Sequence, residues 1–313
     1  ADVHRYAGAS HLVTEDVPEA ADHAWTWIRT RICEPQPTPA ERPPGPAIDV
    51  ATSPGSAIAI AEPVRGRTRL TRFTELSTRI DAIAEMLRNS GVRPGHRVAL
   101  LVPPGLELTA AVYACWRTGA AIVVADTGLG WRRMAEALRS ADPDHLIGVP
   151  AAMALAAALR IPGQRIVIGG RHPATDSGRI SPPHGRKRSE ITADPEAAVL
   201  FTSGATGPPK GVVYRHSQLR AQVELVRAVC GITPDDRLVA AFAPFALYGP
   251  ALGIGAAVPQ MDVTRPGTLT AIALADAAAA VGGTLVFASP AALRNVVATA
   301  SQLTAGQRIP LAR

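Results

Sequence analysis

The chain has 313 residues with a net charge of +6, and it is 47% apolar, 19% charged and only 4% aromatic. That length exceeds one typical domain, and the apolar share suits a soluble core former rather than a disordered or fibrous chain. Its arginines are scattered without interleaved aromatics, which argues against nucleic-acid binding, and no uncharged apolar run free of helix breakers reaches the roughly 18 residues of a membrane span.

In chain order, Val3 to Tyr6 can end a strand, Gly8-Ala9-Ser10-His11 is a tight turn presenting a histidine, and Glu15-Asp16 precede a helix from Pro18 to Ile28. Pro18 suits a helix start, and Ala20, Ala24, Trp27 and Ile28 share one side. This order resembles the last catalytic segment of the α/β-hydrolases, in which a triad histidine follows the final strand. Residues 1–33 are therefore expected to be the C-terminal tail of such a domain, with His11 as its orphan catalytic histidine. A hydrogen-bonded loop histidine without a catalytic role remains the open alternative. No G-x-S-x-G elbow occurs in the chain, so a nucleophile would have to lie upstream. The chain begins with Ala1, in the middle of a pattern, and is expected to be a fragment of something longer.

Between Glu34 and Pro46 stand six prolines in thirteen residues. Such a stretch neither pairs into a sheet nor continues a helix, and it favours extended polyproline II. Residues 34–47 are read as a linker between two domains.

Beyond it, Phe73, Leu76, Ile80, Ile83 and Leu87 fall at helix-face spacing, with Thr74 as the expected N-cap and Gly91 beyond the end. Arg97–Val102 is an apolar strand. A helix over 105–118 stops at Gly119, Ala120–Ala125 is the next strand, and alternation continues through 130–141, 145–149, 150–160 and 165–168. Helices alternating with uninterrupted Val/Ile/Leu strands predict an α/β fold of mostly parallel sheets, covered by helices on both faces. His96 reads as a surface residue and Trp116 as a packed one. The basic cluster from Arg179 to Arg188 reads as a solvated loop.

Val199 to Val212 then breaks from an apolar run into hydroxyls, glycines and a lysine: Val-Leu-Phe-Thr-Ser-Gly-Ala-Thr-Gly-Pro-Pro-Lys-Gly-Val. Glycines let successive N–H groups converge on an anion, the hydroxyls add donors, and Lys210 supplies a compact charge. Only two of the 32 basic residues are lysines, Lys187 and Lys210, so a lysine inside this loop is not compositional drift. Walker A is excluded because Lys210 is followed by Gly211 rather than Ser or Thr.

This string resembles the ATP-loop signature of the AMP-forming adenylating superfamily. The helix Phe-Thr-Glu-Leu from Phe73, Gly95-His96-Arg97-Val98 and Arg117-Thr118-Gly119-Ala120 resemble the N-terminal part of the same domain, so residues 48–313 are expected to be that part, lacking its C-terminal portion. The resemblance implies that ATP and Mg²⁺ are bound, with Thr202, Ser203, Gly204, Thr206, Gly207 and Lys210 holding the departing phosphates and Lys210 acting catalytically. Ala205 stands where the family usually has another hydroxyl. No protein metal ligand is assigned.

Ser217 is expected to cap a helix running to about Val229, and Arg237–Phe242 to form a strand leading into Pro244–Pro250. In the superfamily this segment lies beside the acyl pocket, which implicates Phe245, Tyr248 and Gly249 in substrate binding. Acyl-CoA synthetases often carry a histidine there, and this chain has none. Gly249, Gly253 and Gly255 read as close helix packing. Gly211-Val212-Val213-Tyr214-Arg215-His216 and Met261-Asp262-Val263-Thr264-Arg265-Pro266 resemble the β-lactone synthetases of bacterial long-chain olefin biosynthesis, some of which are fused behind an α/β-hydrolase-fold decarboxylase. That implies a fatty-acid-type 2-alkyl-3-hydroxy acid as substrate and partner enzymes of one pathway. A long-chain acyl-CoA ligase and a non-catalytic fragment are the alternatives. Three cysteines, Cys33, Cys115 and Cys230, are far apart without C-x-x-C pairing, and no basic-then-apolar leader opens the chain, which suits a reducing cytoplasm.

Overall fold

A computed structural model describes residues 49–51, 53–64, 66–125, 130–168, 194–202, 210–262 and 265–303. His11, the linker 34–47 and the basic cluster Arg179–Arg188 lie outside them. In chain order the elements are β1 (Ile58–Val64), β2 (Arg67–Arg72), α1 (Phe73–Asn89), β3 (Arg97–Leu101), α2 (Leu106–Arg117), β4 (Ala121–Ala125), α3 (Gly130–Ala141), β5 (His145–Gly148), α4 (Pro150–Ala158) and β6 (Gln164–Val167). They continue with β7 (Glu196–Thr202), β8 (Lys210–Arg215), α5 (His216–Val229), β9 (Arg237–Ala240), α6 (Tyr248–Leu252), β10 (Gly255–Ala257), α7 (Ala271–Val281), β11 (Leu285–Phe287) and α8 (Pro290–Ala298).

Two sheets result, ordered β11-β9-β10-β1-β2 and β6-β5-β3-β4-β7-β8. Each is parallel except for its last strand: β2 runs antiparallel to β1, and β8 antiparallel to β7. Mostly parallel sheets are thus observed as expected, and the two antiparallel edges arise where short connections leave no room for a crossover helix. Side-chain alternation explains how the six-stranded sheet is buried on both faces. Val98, Leu100, Ile122, Ala198 and Leu200 pack with α1 and α2, whereas Ala99, Val123, Val199 and Phe201 pack with α3 and α4.

Helix α1 buries the expected stripe of Phe73, Leu76, Ile80, Ile83 and Leu87. Its cap differs from expectation: Glu75 reaches back to accept from the Arg72 N–H at 2.7 Å, and the Thr74 hydroxyl donates instead to the Gly55 carbonyl at 3.2 Å. An acidic residue three positions in satisfies an N–H that the helix ladder leaves open. Gly91 follows with φ of 85°, the left-handed turn that ends the helix. Ser217 likewise is not the cap of α5, which starts at His216; Asp194 accepts from both the Ser217 N–H at 3.0 Å and its hydroxyl at 2.6 Å.

Trp116 is buried, as expected, and its indole N–H donates to the Ala197 carbonyl at 2.9 Å. His96 is not a free surface residue. It stacks on buried His145 with 5.3 Å between ring centroids, and its Nδ1 lies 3.2 Å from His145 Nε2. The pair forms because β3 and β5 run side by side with Val98 opposite His145, a long-range register that no local pattern announces. The three glycines near residue 250 do different jobs. A Cβ on Gly249 would sit 2.7 Å from that of Ala256, Gly253 ends α6 in the left-handed region at φ of 74°, and Gly255 opens β10 against the Ile58 carbonyl. Only the first is helix packing.

Candidate active site

Parallel strands present their C-terminal ends together, and in open α/β sheets ligands bind there. β7 ends at Thr202, where the expected phosphate loop begins. In the β7–β8 pairing Thr202 stands opposite Lys210, Leu200 opposite Val212 and Ala198 opposite Tyr214. Ser203, Gly204, Thr206 and Gly207 belong to the connection, outside the described residues; the two strands that carry it set where it starts and where it ends.

Alternation then places Lys210, Val212 and Tyr214 on one face of β8, and Gly211 on the other. A Cβ on Gly211 would come within 2.9 Å of the Phe201 ring and 3.1 Å of Val199. The glycine after the lysine is therefore required by the Phe201 ring packed underneath. Lys210 is exposed at the mouth of the hairpin. Its face of the sheet is the one on which Ala198, Leu200 and Tyr214 pack with Leu247 and Ala251.

The base of the hairpin is bolted down. Arg97 donates through Nε and a terminal nitrogen to the two Glu196 oxygens at 3.0 and 3.1 Å, and also to the Ala141 carbonyl at 3.1 Å. Such two-pronged guanidinium–carboxylate contacts fix geometry as well as charge.

The segment expected beside the acyl pocket follows β9. Ala243–Leu247 is a 3₁₀ turn leading into α6, and it is anchored by the Tyr113 hydroxyl, which donates to the Leu247 carbonyl at 2.7 Å. Burial holds the Tyr113 phenol in its neutral form, far above the usual range. Tyr248 donates to Gln222 Oε1 of α5 at 2.7 Å, and burial followed by the neighbouring Tyr214 raises its pKa. Phe245 lies flat against Phe287, with centroids 3.5 Å apart and planes 5° from parallel, and Phe242 leans on both rings from about 6 Å. Phe242 and Phe287 leave 44% and 40% of their surface open. Of the expected pocket residues, Phe245 and Tyr248 thus join one aromatic wall, whereas Gly249 is buried against Ala256. Phe242, Phe287, Tyr113 and Gln222 escaped sequence reading. The signal that finds Phe287 is an aromatic residue at the C-terminal end of a parallel strand.

A separate cleft of about 240 Å³ lies between β1 and the segment after β10, lined by Glu62, Pro63, Pro104, Val258 and Met261. Its Glu62 accepts from Arg69 and from the first N–H of α2, Leu106, at 3.0 Å. Neither Lys210 nor the aromatic wall lines it. Among the described residues no group of three His, Cys, Asp or Glu side chains could hold a metal ion.

Residues 48–310 match the family of AMP-binding enzymes. Over 230 residues the chain is 38% identical to an olefin β-lactone synthetase of Xanthomonas campestris pv. campestris, covering 71% of this chain and 41% of that protein. A second olefin β-lactone synthetase, of Stenotrophomonas maltophilia, is 35% identical over 231 residues, covering 71% and 42%. A feruloyl-CoA synthase of Amycolatopsis is 31% identical over 195 residues, covering 60% and 36%. Among solved structures, an acyl-CoA synthetase of Brucella canis is similar with a TM-score of 0.63 at 21% identity, over 78% of this chain and 46% of that one, which shows a shared fold. The chain spans about two fifths of the length of the two lactone synthetases it matches.

Proposed function

Because the chain belongs to the AMP-binding enzyme family, we propose that it is the nucleotide- and acyl-binding part of a ligase that adenylates a long-chain 2-alkyl-3-hydroxy acid and closes it to a β-lactone in olefin biosynthesis. The observation that carries this is the place of Lys210, an exposed ammonium directly opposite Thr202 at the C-terminal mouth of a parallel sheet. A cation there, beside a loop rich in hydroxyls and N–H groups, suits the anionic tail of ATP.

In the first step a carboxylate oxygen attacks the α-phosphorus of ATP and pyrophosphate departs. Lys210 and the hydroxyls of Thr202, Ser203 and Thr206 neutralise the charge that gathers on that leaving group, while the N–H groups of Gly204 and Gly207 cradle it. In the second step the substrate's own 3-hydroxyl oxygen attacks the carbonyl carbon, the hydroxyl proton is lost and AMP leaves. A tethered nucleophile offsets part of the ring strain through its high effective concentration. Mg²⁺, carried by the nucleotide's phosphates, would supply further positive charge to the leaving group.

Phe242, Phe245, Tyr248 and Phe287 form the wall against which an alkyl chain would lie. The two lactone synthetases, at 38% and 35% identity, favour this chemistry over thioester formation, as does the absence of histidine from Pro244–Pro250. The feruloyl-CoA synthase, at 31%, supports the second reading, an acyl-CoA ligase in which a thiol displaces AMP. A chimera of this chain with the remaining C-terminal part of the Xanthomonas relative separates them: release of pyrophosphate with β-lactone as product supports the first, and a CoA-dependent thioester product supports the second.

The family match begins at residue 48; for the residues before it, the proposal keeps 34–47 as a linker and 1–33, with His11, as the tail of an α/β-hydrolase domain. A broad-specificity protease should then cut between Cys33 and Ile48 first. Among the described residues no helix is long and apolar enough to cross a membrane, and a cytoplasmic enzyme working beside others of its pathway completes the proposal.

A further inference from the structure

Tyr113 and Trp116 stand three residues apart on α2, hence on one side of it, and both are buried. Their rings meet edge to face with 5.3 Å between centroids. Each has one polar atom, and each directs it at a main-chain carbonyl of another element. The Tyr113 hydroxyl donates to Leu247, at the end of the 3₁₀ turn that carries Phe245, and Trp116 Nε1 donates to Ala197 of β7 at 2.9 Å. One helix thus grips the aromatic wall with one side chain and the strand leading to Thr202 with the other.

The residue that Trp116 grips is not an ordinary rung. Glu196 pairs with Arg215 and Ala198 with Tyr214, so two steps along β7 match one along β8, and Ala197 is the extra residue of a bulge. From Ala198 the ladder runs without a further shift to Thr202 opposite Lys210. A slip of one residue would turn Lys210 to the opposite face of the sheet. The bulge therefore sets the side on which Lys210 stands, and the indole N–H holds the bulged residue. Trp116 also meets His216, the residue that follows β8, edge on at 6.2 Å, so the indole touches the hairpin at the start of β7 and just past the end of β8.

Resting on the function proposed above, we propose that Tyr113 and Trp116 are positioning residues for its two reactants. Trp116 holds the strand register that places Lys210 on the side of the departing pyrophosphate, and Tyr113 holds the wall against which the alkyl chain lies. The helix between them fixes the spacing of the two half-sites. Both act through main-chain carbonyls, and attack of a carboxylate on phosphorus is sensitive to small errors in such spacing.

The test is isothermal titration calorimetry of the 313-residue chain with two probes taken separately, 3-hydroxypalmitic acid and inorganic pyrophosphate. Loss of one buried hydrogen bond corresponds to about a two- to tenfold change in affinity. Tyr113→Phe, which keeps the ring and removes one oxygen, should weaken the acid by that factor and leave pyrophosphate at the parent value; Trp116→Phe should do the reverse. A general loss of packing would weaken both probes together, so the crossed pattern is one that a merely structural role does not give. Equal weakening of both probes, or no change for either, would overturn the assignment. Should Trp116→Phe fail to fold, the split in Tyr113→Phe decides alone. A parent chain that binds neither probe would overturn the functional reading and this assignment with it, an outcome distinguished by being read on the parent.

Discussion

Thr202 and Lys210 face each other across the last observed rung of the β7–β8 ladder. The chain leaves β7 at Thr202 and re-enters β8 at Lys210 on the same rung, so the backbone of Lys210 is held by strand pairing. A lysine whose backbone is anchored in this way starts its side chain from a fixed point beside the site where charge appears as pyrophosphate departs.

Gly211 tests whether that rung depends on the packing beneath it. Gly211→Ala would push a methyl to within 2.9 Å of the Phe201 ring. Overpacking of this kind costs about 1–3 kcal/mol, so the midpoint of chemical denaturation should fall. Phe201→Leu in the Gly211→Ala background should recover part of the loss; no coupling between the two positions in the double-mutant cycle would refute the packing account.

Phe287 tests the aromatic wall. It is 40% exposed and stacked on Phe245, so Phe287→Ala should lower stability by about 0.5–1.5 kcal/mol, the worth of the lost aromatic contact, without unfolding the chain. An aromatic contact is worth roughly 0.5–1.5 kcal/mol, which predicts a two- to tenfold weaker affinity for a long-chain acid in equilibrium binding. Unchanged affinity for long and short acids alike would remove Phe287 from the pocket.

The His96–His145 pair predicts an acid-sensitive fold. The Arg93 N–H can only donate, so His96 Nδ1 accepts it at 3.3 Å; His145 must then donate through Nε2, which leaves its buried Nδ1 bare and without a partner. Burial, then His96 and Arg93, lower the His145 pKa from the usual 6.5 to about 4, against the opposite pull of Asp144. Between those values the unfolded chain binds more protons than the folded one, so stability is full above pH 6.5 and declines as pH falls toward 4. The slope from this group is at most about 1.4 kcal/mol per pH unit. His145→Gln should flatten that part of the denaturation-versus-pH profile, and a parent profile already flat there would contradict the tautomer assignment.

What could be read in advance follows the range of the interactions. The stripe of α1 and the strand–helix alternation from Arg97 to Val167 are local periodicities, and they stand close to their expected bounds. The string around Lys210 was legible because few other structures need those residue types together. By contrast, β11 is three residues long, and Phe287 joins Phe245 only through the pairing of β11 with β9. The charged run Arg67–Arg72 holds a single apolar residue, Leu70, and so shows no apolar alternation, which left β2 invisible until β1 paired with it. Thr74 and Ser217 were reasonable caps by residue type, and each lost to a longer carboxylate already in reach, Glu75 and Asp194.

The most direct measurement is the rate of each half-reaction in the chimera described above with Lys210→Ala. Charge-assisted contacts to phosphate are worth roughly 1.5–3 kcal/mol, so adenylate formation should slow by about ten- to a hundred-fold. Lys210→Arg should not restore the full rate, since a planar fork does not replace a compact ammonium, and Lys187→Ala should change little. Lactone closure from a supplied acyl adenylate should proceed at the parent rate, because pyrophosphate has already left. Equal loss in both half-reactions, or no loss in either, would contradict the claim that Lys210 holds the departing pyrophosphate.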